Sequence, residues 1–208
     1  MFDALTPLPP SPTGEGEDAD RFIMRDYTEG RMVDPLLLLS SKEVYSGKNW
    51  QVTLDEAALP DGRRKKAERV HRPDSVHILA FPTKGSVVMI REFRPFYGRY
   101  IWMIPSGKVD KENDPDIAAQ RELREETSYR SDDLHYYCMV RHMDQLTSKN
   151  WIYIARQLVR DPLELDPTEL IEVHEMPIKD AIDKVLNDDF AHSTTAYALL
   201  RYAREHGM

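Results

Sequence analysis

The alternation of apolar and polar positions divides the chain into a strand-rich first third and a remainder in which strands and helices alternate. In "NWQVTLDEAAL", Trp50, Val52 and Leu54 recur with period two, which predicts a strand. "LPDGRR" then reads as a hairpin turn, because Pro60 presets φ and Gly62 accepts a positive φ. A second strand is expected through Glu68 to Arg72. "SVHILAF" and "SVVMIREF" predict two more strands around a "PTKG" turn, and "YIWMIPSG" follows a loop carrying Pro95, Tyr97, Gly98, Arg99 and Tyr100. The period changes at "NDPDIAAQRELREET", where Asp114 is a suitable N-cap and Pro115 suits the first turn of a helix. "LHYYCMVRHM", "NWIYIARQL" and "LIEVHEM" predict three further strands. Two helices close the chain. One carries an apolar stripe of Ile178, Ala181, Ile182, Val185 and Leu186; the other carries Ala196, Leu199, Leu200 and Ala203 after a Ser193–Thr194 cap. This order predicts a layered α/β (α+β) domain.

Composition adds the domain limits. Residues 1–20 are rich in Pro, Gly and acid and read as a flexible tail; 21–72 form a small N-terminal β unit; 73–208 form the main domain. The net charge of -8 argues against a nonspecific grip on nucleic acid. The basic cluster "RRKK", Arg63 to Lys66, reads as a solvated loop beside the turn. Cys138 is the only cysteine, so no intrachain disulfide forms, and it reads as a small buried hydrophobe. "PLLLL" is too short to span a bilayer, and the N-terminus lacks the features of a signal peptide. The expectation is a cytoplasmic protein without a membrane partner.

The candidate chemistry lies in "RELREETSY". At about 100° per residue, Glu122, Glu125 and Glu126 fall within an arc of about 100°. Glu122 and Glu126 form an i, i+4 like-charge pair, which costs a few tenths of a kcal/mol on an isolated helix. Sharing one pocket would cost more, through raised pKa values. A hard cation reverses that sign, since Mg²⁺ takes oxygen ligands. The other reading of the glutamates alone is a solvated helix laced with salt bridges, in which Arg121 reaches Glu125 and Arg124 points to solvent. The preceding "IPSGKVD" tips the balance toward a metal–phosphate site, because its turn can bring a backbone carbonyl such as that of Ser106 toward the carboxylates.

The segment Gly107 to Tyr129, "GKVDKENDPDIAAQRELREETSY", resembles the Nudix box, G-x5-E-x7-R-E-apolar-x-E-E-x-G-apolar. Gly107, Arg121, Glu122, Leu123, Glu125, Glu126 and Tyr129 fall in register. Two positions depart. Asn113 stands where the first glutamate is expected to pair with the arginine, and Ser128 replaces the second glycine, which Ser tolerates if φ is negative. Flanking stretches, from Ser40 onward, are similar to ADP-ribose pyrophosphatases and related nucleoside-diphosphate-sugar hydrolases. One marker of that subfamily is missing: Gln145 replaces a downstream proline.

The resemblance implies a Nudix fold, a mixed β-sheet sandwiched between helices. It implies Mg²⁺, with Mn²⁺ as substitute, held by Glu122, Glu125, Glu126 and the Ser106 carbonyl. Glu169 matches the loop glutamate that serves as catalytic base or water orienter, with Glu164 and Asp166 as rivals. Arg94 matches a phosphate contact, with Arg99 and Arg69 as further candidates and a salt bridge to the acidic helix as the other reading. Trp50 matches an aromatic that stacks on the nucleobase, with a core or dimer-interface tryptophan as the other reading, and Asp144 lies in a substrate-contacting loop. The seven histidines show no metal-ligand spacing. The implied activity is hydrolysis of the phosphoanhydride of a nucleoside diphosphate sugar, first of all ADP-ribose to AMP and ribose 5-phosphate, with GDP-mannose as a rival. The alternative of another class is a catalytically weak nucleotide-sugar sensor. The resemblance also implies a homodimer in which the N-terminal strands exchange between subunits.

Overall fold

The computed structural model describes residues 38–208 and, as backbone alone, the antiparallel strands β1 (Met24–Arg25) and β2 (Met32–Val33). The tail expected over residues 1–20 lies outside the described residues. A first antiparallel sheet joins β3 (Leu38–Ser46), β4 (Gln51–Ala58) and β5 (Arg64–His71). Gly62 takes φ 84 in the β4–β5 turn, where a side chain would be strained. The basic cluster falls mostly within exposed β5 rather than in a loop. Every residue of β3 is exposed.

Two sheets make the main body. One has the order β10-β11-β6-β9, formed by β6 (Ser75–Ala80), β9 (Ser106–Lys108), β10 (Tyr129–Val140) and β11 (Asn150–Arg160), with β6 and β11 parallel. The other has the order β12-β7-β8, formed by β7 (Ser86–Arg94), β8 (Arg99–Met103) and β12 (Ile171–Pro177). All of β6 is buried, because both of its faces are covered. Val76, Ile78 and Ala80 pack with Ala118, Ala119 and Leu123 of α1 (Pro115–Thr127). Leu79 packs on the opposite side with Ile178, Ala181 and Val185 of α2 (Ile178–Leu186) and with Ala198 and Leu199 of α3 (Ser193–Glu205). The chain is therefore a mixed α+β structure with sheet between helices. Cys138 is buried in the second of these clusters, as its strand context predicts.

Three expectations change. "YIWMIPSG" is two strands: β8 pairs with β7, while β9 pairs with β6 in the other sheet. Pro105 lacks an N–H to continue a ladder, and its carbonyl accepts from Ile78 N–H at 2.8 Å as the chain crosses over. β10 begins at Tyr129, ahead of its apolar run, because pairing with β11 extends to Tyr129↔Arg160. The cap of α3 is His192, whose ring accepts from the Thr195 N–H, and not the Ser193–Thr194 pair. The α1 cap holds: the Asp114 carboxylate accepts from Asp116 N–H at 2.8 Å, with Pro115 following.

Candidate active site

The helix α1 places its acids against β9. Ala118, Ala119 and Leu123 share a side of the helix with Glu122 and Glu126 and bury it against β6, so both glutamates face inward at 9% and 6% exposure. Gly107 is what lets the strand come so close. A Cβ built there would lie 1.9 Å from the Glu122 carboxyl carbon. The Ser106 N–H donates to Glu126 Oε2 at 2.7 Å.

Arg121 organises the other acids. Its Nη1 donates to Glu122 at 2.7 Å and to Glu125 at 2.8 Å, its Nε to Glu112 at 2.9 Å, and its Nη2 to the Lys108 carbonyl at 2.9 Å. Glu112 thus supplies the pairing expected one position later. Asn113 is exposed, and the Arg121 partner is its neighbour. The Arg121–Glu125 contact agrees with the helix pattern, whereas Arg124 pairs with Asp161 at 3.2 Å instead of pointing free into solvent. Ser128 departs from expectation: it closes α1 at φ 64, in the left-handed region, with its N–H donating to the Arg124 carbonyl at 3.1 Å.

Burial sets the electrostatics. It pushes the Glu122 carboxyl up to about 7, against the pull of Arg121. Burial raises Glu126 well above the usual carboxylate range, opposed by the Ser106 N–H and reinforced by Glu122, Glu92 and Glu169. Glu169 is raised by partial desolvation and then by Asp166, with Arg94 opposing. Burial disfavours the charge on Arg121, but Glu122, Glu112 and Glu125 outweigh it and raise its pKa. A nearby positive charge would favour the ionised form of carboxylates crowded in this way.

Arg94, Ser106, Glu122, Glu125, Glu126, Asp166 and Glu169 line one cleft of about 390 Å³. Arg94 pairs with Glu92 at 2.7 Å, not with the acidic helix. Among the described residues, no three His, Cys, Asp or Glu side chains already converge on a metal position, since Arg121 stands between Glu122 and Glu125. The donor set nevertheless suits a hard divalent ion: it is all oxygen and rich in carboxylates.

Other expected residues lie away from this cleft in the single chain. Trp50 is half exposed on the N-terminal sheet with the Arg72 guanidinium 5.7 Å from its ring. Arg99 is tied to Asp188 at 2.9 Å and to Asp189. Asp144 and Glu164 are exposed on loops, and Arg69 pairs with Asp55 at 3.6 Å. The cleft also contains Glu92, Arg72, Ser75, His77, Asn150 and His192, which the sequence reading passed over. Strand parity could have found Glu92: it shares the face of Val88 and Ile90 and is 7% exposed. His77 carries a similar signal, a polar residue inside the buried run of β6.

A family model described as the NUDIX domain matches residues 71–198. The chain is 31% identical over 77% of its length, and 89% of the relative's, to a Bacillus subtilis (strain 168) protein named ADP-ribose pyrophosphatase. It is 26% identical over the same shares to a Bacillus methanolicus protein named methanol dehydrogenase activator. A solved structure titled as an ADP compounds hydrolase shares the fold with TM-score 0.67 at 24% identity, over 83% of this chain and 96% of that one.

Proposed function

From the premise that this chain belongs to the Nudix hydrolase family, we propose that it cleaves the phosphoanhydride of ADP-ribose, giving AMP and ribose 5-phosphate. The observation that carries this is the gathering of Glu122, Glu125 and Glu126 with Arg94 and Glu169 around one cleft. The 31% identical relative named ADP-ribose pyrophosphatase supports the choice of substrate. Glu122, Glu125, Glu126 and the Ser106 carbonyl would hold Mg²⁺, or Mn²⁺ in its place, which would supply positive charge opposite the diphosphate and lower the pKa of a water.

The protein's own groups supply the rest. Glu169, whose pKa is raised, orients a water and takes its proton, with Asp166 beside it as the rival base. The water oxygen forms a new P–O bond while the bridging P–O bond breaks and the departing phosphate keeps the electron pair. Arg94 can leave Glu92 for a phosphate, its planar fork matching two oxygens. Arg121 keeps Glu122 and Glu125 from spreading into solvent.

The protein acts as a homodimer in the cytoplasm. Leu38, Leu39, Val44 and Tyr45 on β3 are 40–57% exposed, an apolar edge that a second copy would cover. Trp50, exposed beside that edge, would then serve a base in the partner's cleft, with Asp144 and Arg99 as outlying substrate contacts. The test is a panel of ADP-ribose, GDP-mannose and nucleoside triphosphates with Mg²⁺ and the products identified. AMP and ribose 5-phosphate from ADP-ribose are expected at the highest kcat/KM. Faster turnover of GDP-mannose moves the assignment to another sugar nucleotide, and binding of ADP-ribose without turnover makes the protein a sensor.

A further inference from the structure

The cleft contains a second constellation that the hydrolytic step does not use: Ser75 and His77 on β6, Asn150 on β11, and His192 at the start of α3. Its hydrogen bonds fix where the protons are. Asn150 Nδ2 donates to the Val140 carbonyl at 3.3 Å, which leaves Oδ1 as the acceptor. Ser75 Oγ donates to that Oδ1 at 2.8 Å. His77 Nε2 lies 3.3 Å from the same Oδ1 and 3.2 Å from Ser75 Oγ, whose proton is already committed. Both neighbours can only accept, so Nε2 carries the His77 proton. Nδ1 is then a bare lone pair, and it is buried with no hydrogen-bond partner.

His192 resolves in the complementary sense. Thr195 Oγ1 accepts from Ile104 N–H at 3.2 Å, so its own proton goes to His192 Nδ1 at 2.9 Å, where the Thr195 N–H also points at 3.3 Å. His192 therefore keeps its proton on Nε2. The two rings lie 5.6 Å apart, one offering an acceptor and the other a donor. Both are uncharged at neutral pH: burial lowers His77 to about 3 and His192 to about 4.

An acceptor beside a donor, both neutral, defines the chemistry of the occupant. A phosphate oxygen cannot donate to Nδ1. A metal ion is a poor match too, because these four residues carry no anionic ligand, His77 Nδ1 is the one ring lone pair left open between the two rings, and the third cleft histidine, His142, already faces Ser193 and Thr194 at 3.3 and 3.4 Å. A hydroxyl group both donates and accepts, and a sugar carries several. We propose that His77 Nδ1 and His192 Nε2–H form a hydroxyl-reading subsite that selects the sugar end of the nucleotide sugar.

This rests on the proposed substrate class, and the experiment separates the two. ADP-ribose and the methyl ester of ADP, which has the diphosphate ester but no second sugar, are bound to the full chain by calorimetry with Ca²⁺. The wild type is expected to prefer ADP-ribose. His77→Phe removes the acceptor while Asn150 Oδ1 keeps its Ser75 bond, so the fold is retained. That variant should weaken ADP-ribose about tenfold, the loss of roughly one buried hydrogen bond, and leave the methyl ester unchanged. His77→Asn, which returns an acceptor near the Nδ1 position, should recover part of the preference. The inference is overturned if the wild type shows no preference for ADP-ribose, if His77→Phe weakens both ligands equally, or if His77→Asn behaves like His77→Phe. Failure of the wild type to turn over ADP-ribose with Mg²⁺ would sink the hydrolase reading alone and leave the calorimetric comparison intact.

Discussion

Ser128 holds the last turn of the catalytic helix in a conformation that costs an L-residue about 1–2 kcal/mol and costs glycine little. Ser128→Gly should therefore raise stability by up to about 1 kcal/mol, read as a higher denaturant midpoint at unchanged slope. Sequence alone points to a negative φ for a Ser here, and it is at the helix end, with the Ser128 N–H closing on the Arg124 carbonyl, that the residue takes the left-handed region instead. The same holds for Glu112. The motif marks Asn113, but the backbone turn brings the preceding carboxylate to Arg121 at 2.9 Å. Glu112→Gln should weaken Mn²⁺ binding several-fold in a paramagnetic-resonance titration, by loosening the guanidinium that gathers Glu122 and Glu125. Asn113→Ala should leave that titration unchanged.

At the scale of elements, α1 was readable because cap, first-turn proline and inward stripe all agree, and the structure keeps each of them. The stretch "YIWMIPSG" was not, because β9 is only Ser106–Lys108, too short and too polar to show a strand pattern, and only its pairing with β6 separates it from β8. The histidine pair was hidden for a related reason. His77 and His192 are far apart in sequence, and it is the packing of α3 against β6 that brings their rings together. The contact of β9 with α1 carries a prediction of its own. Gly107→Ala drives a methyl into the Glu122 carboxylate, which can yield only by leaving Arg121. Activity should fall at least tenfold while the thermal midpoint changes little, since the displaced atoms are the end of a flexible side chain and not the core.

For the whole molecule, the balance of titrating groups sets how stability varies with pH. Glu122 and Glu126 have raised pKa values in the folded chain, so their contribution is fully present below the unfolded value and is lost as pH rises through their folded values, about 7 for Glu122. His77 and His192 are lowered, so their contribution is fully present above 6.5 and is lost as pH falls toward 4 and 3. From 6.5 upward the carboxylates act alone. The metal-stripped protein should melt at progressively lower temperature from pH 6.5 to about 8, and Mg²⁺ should raise the midpoint more at the upper end, where the acids bind it without first losing protons. A midpoint that rises over that interval in chelator would contradict the burial assigned to these acids.

The account depends on the inward carboxylates of α1 acting through a bound cation, and the most direct measurement is the rate of ADP-ribose hydrolysis by Glu126→Gln at saturating Mg²⁺. Glutamine keeps the size of the side chain and can still accept from the Ser106 N–H, so the fold should persist. A fall in kcat of about 100-fold or more is predicted, the scale of losing one preorganised electrostatic contact in a closed site. A rate within a few-fold of wild type would show that Glu126 is a buried structural acid and that the metal, if one acts, is held elsewhere.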